Sequence, residues 1–131
     1  MKKIIDWTEF DTDILYLAKQ LESTKNLAEN IYGVLRGGMI PAVMLSHQLG
    51  LPIITQQRLI SKNTIVVDDI ADTGETLLKI LKRKKPLAVA TVWYHPKSKV
   101  KPEFFARLKE TEDWLVFPFE TKFSSKYDQT V

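Results

Sequence analysis

The stretch that most constrains this chain is residues 65–78, IVVDDIADTGETLL. Three β-branched residues lead into two adjacent carboxylates, Asp68 and Asp69, and a polar turn then precedes leucines and an isoleucine at helical spacing. A short apolar run that is bounded by turn residues and followed by a 3.6-residue period predicts a buried strand, a tight loop and a helix. The sequence therefore predicts half of an α/β nucleotide-type site.

The loop of this stretch has the chemistry of an anion site. The start of a helix exposes unpaired amides, Thr73 and Thr76 add hydroxyl donors, and Gly74 lets the backbone approach a bound group closely. A phosphate monoester would fit there. Asp68 and Asp69 cannot bind that phosphate, so they suit sugar hydroxyls, a Mg²⁺ ion held partly through water, or both.

A second glycine-containing loop follows the strand predicted over residues 31–35. Arg36, Gly37 and Gly38 precede a helix that has Pro41 near its first turn, which gives a second set of exposed amides at a helix start. Open α/β sheets bind ligands at the carboxyl ends of parallel strands. The two loops are therefore expected to face one ligand.

The whole chain fits one soluble domain spanning residues 1–131, since 131 residues with 44% hydrophobic and 27% charged residues match ordinary globular proteins. The net charge of +3 suits an anionic small molecule, and the basic residues do not form the long block that would indicate nucleic acid. The absence of cysteine makes a cytoplasmic location the expectation. No apolar run approaches membrane-spanning length, so no membrane partner is expected.

Apolar periodicity outlines the remaining elements. Further helices are predicted over residues 8–22 and 39–49, the second of which contains His47, a residue left out of the site because nothing near it in sequence would orient it. The predicted strands are residues 31–35, 52–55, 64–68 and 87–93. The tail, residues 121–131, is polar and expected to be loosely packed or to lie at a subunit contact. These elements predict a three-layer α/β/α fold with a mainly parallel central sheet.

The strand, Asp-Asp, two spacers and Asp-Thr-Gly-x-Thr of residues 65–76 resemble the type I phosphoribosyltransferases. The resemblance implies that 5-phosphoribosyl 1-diphosphate binds here with Mg²⁺ and that the protein is a homodimer or homotetramer. It implies catalytic roles for Asp72, as proton acceptor, and for Asp68 and Asp69, which would hold the ribose hydroxyls and the metal. The donor-binding residues it implies are Arg36, Gly37, Gly38, Ile70, Ala71, Thr73, Gly74, Glu75 and Thr76. The family often holds the bond entering the first loop, here Leu35-Arg36, in cis.

Two later segments resemble the xanthine-guanine branch of the family. They are residues 93–97, WYHPK, and residues 112–120, EDWLVFPFE. The resemblance implies that Trp114 stacks on a purine, that Leu115 offers main-chain contacts and that His95 stands where the family has a lysine that donates to the 6-oxo group. Lys97, two residues later, is the alternative donor.

The segment between the two strands 52–55 and 64–68 departs from the family, whose members usually carry a long mobile catalytic loop there. Only residues 56–63 are available. Closure over the donor would then fall to Arg58, Lys62 or a neighbouring subunit.

The function predicted from the sequence is transfer of a phosphoribosyl group to guanine, xanthine or hypoxanthine in purine salvage. The alternatives are a non-catalytic or regulatory protein that binds the donor or a nucleotide, and a phosphoribosyltransferase for another base.

Overall fold

The computed structural model describes residues 1–121. At its centre, within this range, five strands form a wholly parallel sheet in the order β3-β2-β4-β5-β6. These strands are β2 (Asn30–Gly33), β3 (Ile53–Ile54), β4 (Thr64–Ala71), β5 (Ala88–Tyr94) and β6 (Phe104–Leu108). Two more strands, β1 (Lys2–Ile4) and β7 (Trp114–Val116), pair in parallel as a separate small sheet.

Helices cover both faces of the central sheet. The α-helices of residues 1–121 are α1 (Trp7–Leu21), α2 (Met39–Leu49) and α3 (Glu75–Arg83). Alternation along β4 separates two cores, because Ile65 and Val67 pack with α1 and α2 whereas Val66 packs with α3. The predicted three-layer α/β/α fold is confirmed. No helix in this part of the chain has the length and apolar character needed to cross a bilayer.

The helices begin and end close to the predicted residues. Asp6 caps α1, where its Oδ1 accepts a hydrogen bond from the Glu9 amide at 2.7 Å. Gly50 closes α2 with a φ of +68°, a left-handed conformation that glycine adopts without strain. Local capping chemistry therefore sets these boundaries.

Strand β4 is longer than the predicted residues 64–68. It continues to Ala71, so that Asp68 and Asp69 lie within the strand rather than at its end. Aspartate is disfavoured in strands, so the sequence predicted that the strand ends at Asp68. In the structure, Ile70 pairs with Trp93 and Ala71 pairs with Tyr94, which extends the ladder. Tertiary pairing with β5 overrides local propensity here.

Three strands are absent from the sequence prediction. β6 adds an edge beside β5, and β1 pairs with β7 from Lys2–Trp114 to Ile4–Val116. The short strands β1 and β7 lack a long periodic pattern, and their partners are separated by nearly the whole chain. Pairings of this range are invisible to local pattern analysis.

The connections of β2 and β4 open a crevice between these neighbouring strands. From β2 the chain passes through α2 to β3 on one side of the sheet, whereas from β4 it passes through α3 to β5 on the other. Loops that diverge in this way leave a ligand-sized gap at the carboxyl ends of the strands. Residues 34–38 and 72–74 flank that gap.

The connection between β3 and β4 is short and anchored, which confirms the predicted lack of a long mobile loop. It contains a 3₁₀ turn, Gln57–Leu59, and Ile60 is buried against the α3 side of the sheet. The Arg58 carbonyl also accepts a hydrogen bond from Lys84 at 2.8 Å. The prediction for the tail, residues 121–131, falls on positions that, apart from Thr121, lie outside the described residues.

A buried carboxylate joins α1 to the sheet edge. Arg107 of β6 donates through Nε to Asp13 Oδ1 at 2.8 Å, while Asp13 Oδ2 is buried and has no hydrogen-bond partner within residues 1–121. Burial raises the pKa of Asp13 and outweighs the opposing effect of Arg107, although the same hydrogen bond raises the pKa of Arg107. Because the Asp13 side chain is buried whereas that of Arg107 is well exposed, the desolvation of the carboxylate governs the energetics of this pair.

We predict that Asp13→Asn flattens the acidic pH dependence of stability. Since the folded-state pKa of Asp13 is raised, its contribution to stability is fully present below the unfolded-state pKa, about 3.9, and is lost as pH rises through the folded-state pKa. Wild-type protein should therefore lose stability over that window, and the neutral variant should not. Urea unfolding at a series of pH values measures this.

The matched control is Asp11→Asn, which alters an exposed aspartate of the same helix. It should keep the wild-type profile. If Asp13→Asn were about 3 kcal/mol less stable than wild type at pH 7, as expected for breaking a favourable buried ion pair, the interpretation would be wrong.

Candidate functional site

A cavity of about 350 Å³ lies at the carboxyl ends of β2 and β4. It is bounded by the two loops predicted to bind a ligand and by the segment that begins at Trp114. The predicted site residues that line it are Arg36, Gly37, Asp68, Asp69, Ile70, Asp72, Thr73, Gly74, Glu75, Thr76, Trp114 and Leu115. The predicted residues that do not line it are Gly38, Ala71 and His95.

The loop after β2 brings backbone to the cavity. Its Leu35-Arg36 peptide is cis, as the resemblance implied. Gly37 lies directly against the Asp69 carboxylate, where a Cβ atom would collide with it. Gly38 begins α2, and its amide donates to the Val34 carbonyl at 2.8 Å, which fixes this glycine below the cavity instead of in its wall.

The loop after β4 is shaped by Gly74, which has a φ of +79° and precedes α3. Thr73 Oγ1 lies 3.4 Å from the Glu75 amide, while the Glu75 side chain turns to Lys99, 3.3 Å away. The Thr73 carbonyl accepts a hydrogen bond from the Lys99 amide at 2.9 Å. The loop is therefore supported from outside, and the first-turn amides of α3 lie at the cavity, where an anion would be stabilised.

Asp68 and Asp69 lie side by side on the floor of the cavity. Asp68 Oδ1 accepts the Asp69 amide at 2.9 Å, and Asp69 Oδ1 accepts the Ile70 amide at 2.7 Å. Two half-buried carboxylates offer the hard oxygen ligands that Mg²⁺ prefers, and Mg²⁺ commonly takes one or two carboxylates together with water and substrate phosphate. Residues 1–121 contain no group of three or more acidic, histidine or cysteine side chains that could hold a metal ion.

Asp72 is paired with Lys109, a residue that the sequence prediction missed. Lys109 Nζ donates to Asp72 Oδ2 at 3.0 Å, and the lysine side chain is only 5% exposed. Asp72 Oδ1 is buried and has no hydrogen-bond partner among residues 1–121. A carboxylate with one unsatisfied oxygen beside a cavity can accept a further donor after rotation about its terminal torsion.

The small β1–β7 sheet forms the far wall of the cavity. The Trp114 amide donates to the Met1 carbonyl at 2.9 Å, and the Trp114 side chain is about half exposed. Leu115 is buried. Phe117 also lines the cavity and stacks on Phe119 with ring centroids 5.6 Å apart. The half-exposed indole of Trp114 offers a face on which a flat ring could stack.

His95 and Lys97 are both engaged with Glu112. His95 Nε2 lies 3.1 Å from Glu112 Oε1, and Lys97 Nζ donates to Glu112 Oε2 at 2.5 Å. The hydrogen bond from Lys97 lowers the pKa of Glu112 and raises that of Lys97. Neither His95 nor Lys97 lines the cavity, and neither do Arg58 and Lys62.

Lys109 could have been found from the sequence if β6 had been recognised. Residues 104–108, FFARL, are rich in aromatic and aliphatic residues, and Lys109 stands at the carboxyl end of this strand. The carboxyl ends of parallel strands form the ligand-binding edge of such a sheet. The sequence prediction therefore failed to recognise strand β6, and Lys109 was missed as a consequence.

The chain is similar to several known proteins. Residues 55–126 match the phosphoribosyl transferase domain family. The xanthine-guanine phosphoribosyltransferase of Desulfotalea psychrophila is 25% identical over 139 residues, which cover 90% of this chain and 86% of that protein.

Two solved structures extend the similarity. The purine phosphoribosyltransferase from Pyrococcus horikoshii has a TM-score of 0.78 and 31% identity, covering 92% of this chain and 95% of that one. The xanthine-guanine-hypoxanthine phosphoribosyltransferase of Helicobacter pylori has a TM-score of 0.75 and 25% identity, covering 96% and 98%.

We predict that Gly38→Ala destabilises the protein by about 1–3 kcal/mol, the usual range for overpacking. A Cβ atom at Gly38 would lie 2.5 Å from the Val67 carbonyl oxygen and 2.6 Å from that of Val34. Both are backbone atoms held by hydrogen bonds, from the Val34 amide and the Gly38 amide respectively. Thermal unfolding should show the melting temperature reduced by several degrees.

Gly50→Asn is the control for this substitution. A Cβ atom at Gly50 meets open space, and asparagine tolerates the left-handed conformation. Equal melting temperatures for Gly38→Ala and wild type would mean that the first loop has room to move.

Proposed function

Because this chain belongs to the phosphoribosyltransferase family, we propose that it transfers the 5-phosphoribosyl group from 5-phosphoribosyl 1-diphosphate to a 6-oxopurine base. The products would be a nucleoside monophosphate and pyrophosphate, and the purpose would be purine salvage. The observation that carries the proposal is that the loop after β2, the loop after β4 and the segment starting at Trp114 line one cavity.

The donor is proposed to lie across the crevice. Its 5-phosphate would meet the first-turn amides of α3 together with the hydroxyls of Thr73 and Thr76, since helix starts attract anions. Its pyrophosphate would meet Arg36 and the backbone of Gly37, because a guanidinium pairs well with phosphate oxygens. Asp68 and Asp69, between these two anion sites, would accept hydrogen bonds from the ribose hydroxyls.

The carboxylates of Asp68 and Asp69 would also hold Mg²⁺, directly or through water. Such an ion, when bound, neutralises the charge that develops on the leaving pyrophosphate. Arg36 would contribute in the same sense, because a fixed cation needs no reorganisation during the reaction.

The chemical step exchanges one bond at the anomeric carbon for another. The bond to the pyrophosphate oxygen breaks and its electron pair leaves with pyrophosphate, while a lone pair of the base N9 forms the new glycosidic bond. The proton on N7 passes to the Asp72 carboxylate. Asp72 lines the same cavity as Trp114, on which the base would stack, so the acceptor is within the space that the base must occupy.

The purine class is supported by the related proteins, whose names specify xanthine, guanine or hypoxanthine. Trp114 supports it as well, since a half-exposed indole provides the stacking surface that a bicyclic base needs.

A non-catalytic protein that binds the donor is the second candidate. It is favoured by the short, anchored connection between β3 and β4, which cannot close over the cavity as a long loop would. Asp72 and Trp114 favour the enzyme, because a sensor of the donor needs neither a proton acceptor nor a platform for a base.

Two measurements test the proposal. Calorimetry with 5-phosphoribosyl 1-diphosphate and Mg²⁺ tests the donor site, and product analysis with guanine, xanthine, hypoxanthine, adenine and uracil tests the reaction. Donor binding without any product would favour the sensor, and absence of donor binding would refute both candidates.

We predict that Asp72→Asn lowers kcat by about 10²–10⁴-fold, the usual contribution of a general base. The amide retains the size of the side chain but cannot take a proton from the purine. Donor affinity, measured by calorimetry, should stay within about twofold of wild type because Asp72 does not contact the phosphates. The remote variant Asp11→Asn serves as control, and an unchanged kcat for Asp72→Asn would remove this residue from the role.

A further inference from the structure

Lys109 is a buried cation in the wall of the cavity. Its amide donates to the Tyr94 carbonyl at 2.7 Å, which fixes the backbone at the end of β6. Its side chain is 5% exposed and reaches Asp72. Lysine is among the residues least often buried, because removing an ammonium from water is costly unless it is paired. A buried lysine at this position therefore calls for a functional explanation.

The pairing with Asp72 uses only part of what this lysine can donate. An ammonium has three N–H donors, and within residues 1–121 the Asp72 carboxylate is the acceptor recorded for Nζ. Lys109 also lines the cavity. The remaining donors are therefore available to an acceptor on a ligand, and meeting one would offset the cost of burying them.

The segment that resembles the xanthine-guanine branch does not place a donor in the cavity. His95 and Lys97 both face Glu112, which is exposed, at 3.1 Å and 2.5 Å. The His95 side chain is largely buried, whereas Lys97 and Glu112 are exposed, and none of the three lines the cavity. Recognition of an oxygen on the base must then come from another element of the chain.

We propose that Lys109 is the residue that selects the base. The Lys109 ammonium donates a hydrogen bond to the carbonyl oxygen at purine position 6. The neighbouring Asp72 carboxylate accepts a hydrogen bond from N7–H on the same edge of the ring. The inference rests on the proposed function, because it needs the base to stack against Trp114. It moves the expected 6-oxo contact from His95 at the end of β5 to Lys109 at the end of β6.

The charge pattern of this pair explains how it discriminates between bases. Lys109 Nζ and Asp72 Oδ2 are 3.0 Å apart, so they offer a donor and an acceptor side by side. A 6-oxopurine presents an oxygen acceptor next to N7, whereas a 6-aminopurine presents an amino donor there. The amino group of a 6-aminopurine would place one hydrogen-bond donor against another and leave the Lys109 ammonium without an acceptor on the base. Sites with a buried polar group of this kind reject the mismatched ligand strongly.

The test uses calorimetry on the full chain with three probes, ribose 5-phosphate, inosine 5′-monophosphate and adenosine 5′-monophosphate. Wild type should bind the inosine nucleotide more tightly than the adenosine nucleotide. Lys109→Met should weaken the inosine nucleotide by about 10- to 100-fold, as loss of a charge-assisted hydrogen bond implies, and should reduce the preference between the nucleotides. Binding of ribose 5-phosphate should stay within about twofold of wild type.

Two lysine variants act as matched comparisons. Lys97→Met removes the alternative donor, and Lys101→Met removes an exposed lysine of no assigned role. Both should keep the wild-type preference. If Lys97→Met abolished that preference, or if Lys109→Met left it unchanged, the assignment to Lys109 would be overturned.

The outcomes also separate this inference from the proposed function. Failure of wild type to bind ribose 5-phosphate would refute the proposed function itself. Normal binding of ribose 5-phosphate together with a preference for the adenosine nucleotide would refute the Lys109 assignment alone. If Lys109→Met does not fold, Lys109→Gln is the substitute variant, because it keeps a neutral hydrogen-bond donor. Its affinity for the inosine nucleotide should fall by less than the 10- to 100-fold expected for Lys109→Met. An unchanged affinity would refute the assignment.

Discussion

The parallel pairing of β2 with β4 is the constraint on which the rest of the structure depends. It joins Asn30 with Thr64 and Gly33 with Val67, and so brings the ends of two strands to one edge of the sheet. Because the chain leaves these ends in opposite directions, the two loops diverge and a cavity opens between them. The cavity lined by both loops and by the carboxylates of Asp68 and Asp69 follows from this single ladder.

Much of this arrangement could be predicted from local sequence. The core strand before Asp68, the capped helix that ends at Gly50 and the glycine-rich loop after β2 each depend on residues close in the chain. Their chemistry is set by short-range rules of capping, turn conformation and periodicity. For these elements the predicted residues and the structure agree.

The remaining features depend on distant partners. β4 runs past its carboxylates because β5 pairs with it, and β7 exists because β1 lies beside it. The partner of Asp72, Lys109, is brought near it by the addition of β6 to the sheet. A sequence pattern reports the propensity of a segment but not which neighbour it will meet. The side of the cavity near Lys109 and Trp114 was therefore predicted less completely than the side formed by the loops after β2 and β4.

The pairing of β1 with β7 has a consequence for how the cavity is maintained. Residues 2–4 are exposed and pair with one neighbouring strand only, and short exposed pairings of this kind open at little cost in free energy. Here, however, opening would also release the backbone of Trp114 and of the rest of β7. Residues 2–4 thus brace one wall of the cavity from outside, and a substitution that unpairs them acts on that wall as directly as a substitution inside it.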